Sequence, residues 1–93
     1  MRRVVVTGLG VVSPIGNSAE EVDAALRAGR SGIEASEEMS EYGFRSRVAG
    51  TLKIDLKEEI DKRTLRFMGP GAGYAYLSMR QAIADAGLEE ADI

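Results

Sequence analysis

Apolar residues fill the first stretch of the chain, from Arg3 to Gly16, almost without alternation. A strand with one solvated face alternates apolar and polar residues. An unbroken apolar run is typical of a strand covered on both faces, as in a parallel sheet between helices. The branched valines at 4–6 suit such a packed surface. Pro14 has no amide hydrogen to donate, so regular pairing should have ended by then. The pattern predicts one buried core strand.

The next stretch predicts a helix near residues 19–28. Ser18 and Glu21 have the spacing of a capping box, in which each side chain satisfies a free backbone N–H of the first turn. Gly29 is placed to end the helix in a left-handed conformation. The predicted buried face consists of apolar residues at helical spacing, Val22, Ala25 and Leu26.

The middle of the chain has weaker periodicity. Residues 34–43 are polar and predict a surface loop, and one or two short extended pieces are expected around Val48, with Gly50 as a break. A second helix is predicted over 56–68, with Asp55 as its cap. Residues 69–71 then break it.

A last helix is predicted over 71–86. Its apolar stripe is expected to contain Tyr76, Met79, Ile83 and Ala86. Gly87 should end this helix, with Leu88 folding back onto its last turn. The whole chain therefore predicts an α/β segment with one core strand, about three helices and short extended pieces.

Composition narrows the possible chemistry. The 93 residues allow one small domain at most, and 44% apolar with 29% charged residues is ordinary for a globular protein. The chain has no Cys and no His, so it lacks a thiolate nucleophile, the commonest general base and the commonest nitrogen ligand for zinc. No apolar run approaches the roughly 20 residues that cross a membrane, and no signal-peptide pattern is present. A cytoplasmic protein without a membrane partner is expected.

Two small motifs invite a catalytic interpretation that their surroundings do not favour. Gly8 and Gly10 begin a dinucleotide-binding fingerprint, but Ser13 stands where the third glycine is needed, so a structural bend is the better interpretation. Ser13, Ser18 and Ser31 have no histidine to activate them and no Ser-x-x-Lys pattern. Serines of turns and helix caps are therefore expected.

Charge is distributed unevenly along the chain. The net charge of −3 argues against a nucleic-acid partner, yet residues 45–66 hold seven basic and four acidic residues. Lys62, Arg63 and Arg66 are the densest part. They form either a docking surface for an acidic partner or a solvated helix face that Glu59 and Asp61 partly neutralise. Charge pattern alone favours the solvated face.

Several stretches resemble the β-ketoacyl-[acyl-carrier-protein] synthases, the condensing enzymes of fatty-acid and polyketide synthesis. The opening, RRVVVTGLGVVSPIGN at residues 2–17, carries the resemblance to the whole superfamily, and RSGI at 30–33 continues it. The resemblance to the elongating bacterial synthase I type is closest in four later stretches: IDKR at 60–63, RFM at 66–68, YAYLSM at 74–79 and QAIADAGL at 81–88. The resemblance covers essentially all 93 residues.

This resemblance implies an amino-terminal fragment of a thiolase-like fold, with residues 1–93 as one incomplete segment. It also implies a homodimeric parent enzyme that uses no metal or organic cofactor. The family's condensation depends on one cysteine and two histidines, so no catalytic residue is assigned here. In the family, basic residues matching Arg45, Lys62, Arg63 and Arg66 contact acyl carrier protein, which makes docking the better interpretation of these four. The alternatives are a non-catalytic module that binds an acidic carrier protein and the amino-terminal piece of a polyketide ketosynthase.

Overall fold

The computed structural model describes all 93 residues, which form five helices, a two-stranded antiparallel sheet and a final 3₁₀ turn. No helix combines the length and the apolar character that crossing a membrane requires. In chain order the elements are α1 (Ala19–Ala28), β1 (Ile33–Ala35), α2 (Glu37–Glu41), β2 (Val48–Gly50), α3 (Leu56–Glu59), α4 (Lys62–Leu65), α5 (Pro70–Ala86) and the 3₁₀ turn (Glu90–Asp92).

The opening apolar stretch is not a buried strand within this chain. Residues 1–12 have no strand partner, and Val4 and Val6 are 94% and 89% exposed. The prediction of burial on both faces is wrong here because the two strands of the chain pair only with each other. No other strand lies beside residues 3–13 to cover them.

The same segment nevertheless has a defined place, because it lies along α5. An added Cβ at Gly8 would meet the carbonyl oxygen of Ala82, and one at Gly10 would meet that of Ser78. A step of two residues along the segment therefore corresponds to a step of four residues, about one turn, along α5. Two residues of extended backbone cover about the same length as one helical turn. Side chains at these two positions would prevent the approach.

Two side chains of α5 hold the segment through its backbone. The Leu9 N–H donates to Asp85 Oδ2 at 3.0 Å, and the Val11 N–H donates to Gln81 Oε1 at 3.0 Å. Gln81 Nε2 also donates to the carbonyl oxygen of Asn17 at 2.7 Å. Gln81 thus joins α5 to both ends of the turn that precedes α1.

Local signals in the sequence predicted α1 and the end of α5 correctly. Ser18 Oγ accepts from the Glu21 N–H at 3.2 Å, and Gly29 ends α1 with φ 66°. Gly87 ends α5 with φ 70°, and the Leu88 N–H returns to the Ile83 carbonyl at 3.2 Å. On the predicted buried face of α1, Ala25 is fully buried, whereas Leu26 is exposed.

The predicted loop at 34–43 is instead part of a small hairpin with a helix in its connection. Ile33 pairs with Gly50, Glu34 with Ala49 and Ala35 with Val48. Ser36 caps α2 by accepting from the Met39 N–H at 3.3 Å. The extended piece expected around Val48 is confirmed as β2. Its partner β1 was missed because three residues give too short a pattern.

The single helix predicted over 56–68 is two short helices. Asp55 caps α3, but its side chain accepts from the Lys57 N–H rather than from Glu58. Ile60 then takes an extended conformation, with φ −121° and ψ 136°, and its side chain is buried. The chain changes direction at Ile60, between α3 and α4, and the Ile60 side chain is buried at this corner.

The buried face of α5 also differs from the predicted stripe. Gly73 and Leu77 are its buried residues, whereas Tyr76 and Met79 are exposed. Because α5 is apolar around much of its circumference, periodicity does not identify the packed face. Leu56 of α3 lies against Gly73, where an added Cβ would be 2.8 Å from Leu56 Cδ1.

The chain covers little of its own surface. Its accessible surface is 7733 Å² and its radius of gyration is 16.5 Å. A compact protein of this mass has about 5,200 Å² and a radius of about 12 Å. Only four residues are buried, namely Ala25, Ile60, Gly73 and Leu77. Much apolar surface is therefore free to meet another polypeptide.

We expect the isolated 93-residue chain to self-associate. The exposed apolar residues at 4–6 lie in an unpaired extended segment, and such segments tend to recruit another chain. Sedimentation velocity at increasing protein concentration should show a weight-average mass above that of the monomer. A monomeric mass at all concentrations, together with a cooperative thermal transition that does not depend on concentration, would contradict this expectation.

Replacing Gly10 by alanine should release the opening segment from α5. The added methyl group has no room against Ser78, and forced overpacking costs about 1–3 kcal/mol. Amide hydrogen exchange of Leu9 and Val11 should accelerate about 5- to 100-fold, since 1.4 kcal/mol is tenfold in an equilibrium constant. Gly71→Ala is the matched control, because an added Cβ there meets nothing within 4 Å. Equal exchange rates in both variants would show that the close approach is unimportant.

Candidate functional site

Three of the four predicted site residues lie together on and just after α4. Lys62 and Arg63 belong to the helix, and Arg66 follows its last residue, with the Arg66 N–H 3.3 Å from the Lys62 carbonyl oxygen. Lys62 and Arg66 have the i, i+4 spacing that places side chains on one face. All three residues are exposed. The structure therefore brings these three cations to one exposed part of the surface.

These cations have no acidic partner within the chain. The ion pairs of the structure join Arg27 to Asp23, Lys53 to Glu34 and Arg80 to Glu59. The Arg80–Glu59 pair matters most here, since it directs an acidic side chain of α3 towards α5. Asp61, the residue before α4, makes no side-chain capping bond and no ion pair. Neither Glu59 nor Asp61 forms an ion pair with the α4 cations.

An exposed aromatic ring accompanies the cluster. The Arg66 guanidinium carbon lies 4.8 Å from the centre of the Phe67 ring, and Phe67 is 80% exposed. A cation over a ring face is attracted by about 0.5–1 kcal/mol at an exposed site. This contact favours one orientation of Arg66 without neutralising its charge. The surface thus offers an apolar ring beside a free cation.

Sequence reasoning missed a fourth basic residue beside the cluster. Lys57 of α3 lines a hollow of about 460 Å³ together with Lys62, Leu65 and Arg66. The helix predicted over 56–68 would have placed Lys57 on the opposite side from Arg66. No periodic signal could have found Lys57, because its place depends on the corner at Ile60.

Arg45 belongs to a different part of the secondary structure from the other three predicted site residues. It stands in the connection between α2 and β2, where it is exposed and forms no ion pair. Its neighbour Arg47 is used locally, since its Nε donates to the Phe44 carbonyl at 3.2 Å. No hydrogen bond joins Arg45 to α4. That Arg45 and the α4 cations form one surface stays a prediction.

The serines considered as nucleophiles have structural roles. Ser13 Oγ donates to the Gly16 carbonyl at 3.2 Å within a tight turn, and Ser18 caps α1. Ser31 Oγ accepts from the Ile33 N–H at 3.1 Å. Each hydroxyl is thus hydrogen-bonded to nearby backbone, as expected for turn and cap residues. The arrangement as a whole can attract and orient an anion, but it offers no group to form or break a bond.

Comparison with known proteins identifies the class to which this fold and cationic surface belong. The solved structure of the ishigamide ketosynthase/chain length factor superposes with a TM-score of 0.85 and 41% sequence identity, over 99% of this chain and 23% of that one. The predicted α/β fold of the thiolase-like ketosynthases is therefore confirmed. A family model described as the N-terminal domain of β-ketoacyl synthase matches residues 1–93.

Curated relatives give the same result. The chain is 59% identical over 90 residues to 3-oxoacyl-[acyl-carrier-protein] synthase 1 of Haemophilus influenzae, and 56% identical over 88 residues to that of Escherichia coli K12. It is 42% identical over 89 residues to synthase 2 of Vibrio cholerae. These alignments cover 97%, 95% and 95% of this chain.

The chain belongs to the β-ketoacyl synthase family. Identity to the synthase 1 proteins exceeds that to the synthase 2 protein, which confirms the predicted resemblance to the synthase I type. The chain spans 22% of the length of each of these three relatives.

The purified 93-residue chain should have no condensing activity. It contains neither Cys nor His, and the hydroxyls of Ser13, Ser18 and Ser31 are hydrogen-bonded to backbone. Incubation with acyl- and malonyl-carrier protein, followed by mass spectrometry, should give no β-ketoacyl product above the no-enzyme control. More than one product molecule per chain in a preparation free of host synthase would contradict this prediction.

Proposed function

We propose that residues 1–93 form the amino-terminal segment of a 3-oxoacyl-[acyl-carrier-protein] synthase of fatty-acid elongation. Such an enzyme joins an acyl chain to malonyl-[acyl-carrier-protein] with loss of CO₂. We further propose that the parent enzyme acts in the cytoplasm as a homodimer. The identities of 59% and 56% to two synthase 1 proteins, over nearly all of this chain, support the proposal.

In this proposal the segment itself does not carry out the bond-forming chemistry. The family reaction needs a cysteine thiolate to accept the acyl group, since a thiolate is strongly nucleophilic near neutral pH. It also needs histidines for decarboxylation and for stabilising the oxyanion. This chain contains neither residue type. Its own roles are to supply part of the α/β scaffold and to bind the protein that carries the substrate.

The observation that carries the binding role is the set of unneutralised cations at α4. Lys62, Arg63 and Arg66 are exposed and form no ion pair. A cationic patch attracts an anionic protein during diffusion and orients it as it arrives. Arg63 and Arg66 can also bind a carboxylate through two parallel hydrogen bonds, which lysine cannot do. An acidic acyl carrier protein is a partner of the required charge.

Arg45 is included in the proposed docking surface on the strength of the family resemblance. It is exposed and unpaired, so its charge is available to a partner. In the proposed arrangement Arg45 and the α4 cations form one cationic surface for the carrier protein. Complementary charges spread over such a surface fix the orientation in which the partner binds.

Reversing Lys62, Arg63 and Arg66 to glutamate in the synthase that contains this segment should weaken use of carrier-bound substrate. We expect kcat/KM to fall about 10-fold or more at low salt, because association loses its electrostatic attraction. The loss should shrink as salt shortens the screening length to about 8–10 Å. Steady-state kinetics at several ionic strengths measures both effects.

Two comparisons make this test specific. A small acyl thioester without carrier protein should be used at nearly the unchanged rate. The matched control reverses Arg2, Arg3 and Arg30, which are exposed and form no ion pair, and so changes the net charge equally. Equal loss with both substrates, or equal loss in the control, would show that the α4 cations do not dock the carrier.

A further inference from the structure

The hollow between α3 and α4 is a charged recess. Its lining consists of Lys57, Lys62, Leu65 and Arg66, and no acidic residue lines it. Its volume of about 460 Å³ exceeds that of a single side chain. The three cations repel one another, and none of them forms an ion pair within the chain. An anion entering the recess would relieve it.

The corner at Ile60 creates this recess. In one continuous helix, at 100° per residue, Lys57 would lie about 140° around the axis from Lys62 and about 180° from Arg66. These residues would then face different directions. The extended backbone at Ile60 ends α3 and starts α4 in a new direction, so that Lys57 and Arg66 line the same hollow.

Two of the neighbouring acidic residues, Asp55 and Glu59, make contacts outside the recess. Asp55 accepts from the Lys57 N–H at 2.9 Å as the cap of α3. Glu59 lies 3.7 Å from the Arg80 guanidinium, and its carbonyl oxygen accepts from the same arginine at 3.1 Å. Lys57 itself forms no ion pair. Its ammonium group is therefore available to a partner.

We propose that Lys57 is a docking residue, and that the recess receives a carboxylate side chain of the acidic carrier protein between Lys57, Lys62 and Arg66. The inference rests on the proposed function, since it takes the carrier protein as the partner. The apolar surface of Leu65 suits the methylene groups of a glutamate. A recess with three donors on two helices also fixes position better than cations on one helix face.

The test reverses Lys57 in the synthase that contains this segment. For Lys57→Glu we expect kcat/KM with carrier-bound substrate to fall about 3- to 10-fold at low salt. Lys57→Gln should give a smaller loss, and Lys57→Arg should retain the wild-type value. The carrier-free thioester should be used equally well by all variants. Lys57 is exposed and forms no ion pair, so its reversal breaks no contact of the fold, and full activity on the carrier-free thioester shows that the variant is folded.

Arg2→Glu is the matched control for a single reversal, since Arg2 is exposed and forms no ion pair. An unchanged kcat/KM in Lys57→Glu, or an equal loss in Arg2→Glu, would overturn the inference. So would an equal loss with the carrier-free thioester. If reversal of Lys62, Arg63 and Arg66 is effective while Lys57→Glu is not, only this inference fails. If neither has an effect, the proposed docking function fails as well.

Discussion

The first residues of the chain lie directly on the backbone of α5, because Gly8 and Gly10 have no side chains to hold them away. Backbone this close to a helix cannot form strand pairs on that side. Asp85 and Gln81 satisfy two of its N–H groups instead. Gln81 also bonds to Asn17 and so sets where the chain turns before α1. The hydrogen bonds of Gln81 thus connect the opening segment, the turn before α1 and α5.

Sequence reasoning succeeded where the structure is decided within a few residues. Ser18 and Gly29 delimit α1, and Gly87 ends α5, because capping and left-handed glycine are local effects. It failed where contacts between residues far apart in the sequence decide the structure. The nearly continuous apolar run at 3–16 predicts burial, but burial of Val4–Val6 requires neighbouring strands that this chain does not hold. The face of α5 that packs depends on Gly8, Gly10 and Leu56, which are remote in sequence.

The candidate site shows the same division. The grouping of Lys62, Arg63 and Arg66 could be predicted because they are adjacent or one turn apart in sequence. The place of Lys57 beside Lys62 and Arg66 could not, because a continuous helix over 56–68 was expected. Buried Ile60 interrupts that helix, and helix propensity is too weak a term to resist burial of an apolar side chain. The break at Ile60 thereby changes which charges are neighbours.

The hairpin and α2 have a further consequence for motion. None of the residues 33–50 is fully buried, and the pairing of β1 with β2 extends over three residue pairs. Segments with so little burial open at a small fraction of the free energy of global unfolding. Arg45 lies in this sparsely buried part of the chain, whereas Lys62 is two residues after the buried Ile60. If the proposed docking holds, the contact at Arg45 would adjust more readily than the contact beside Ile60, and the surface would accept partners of slightly different shape.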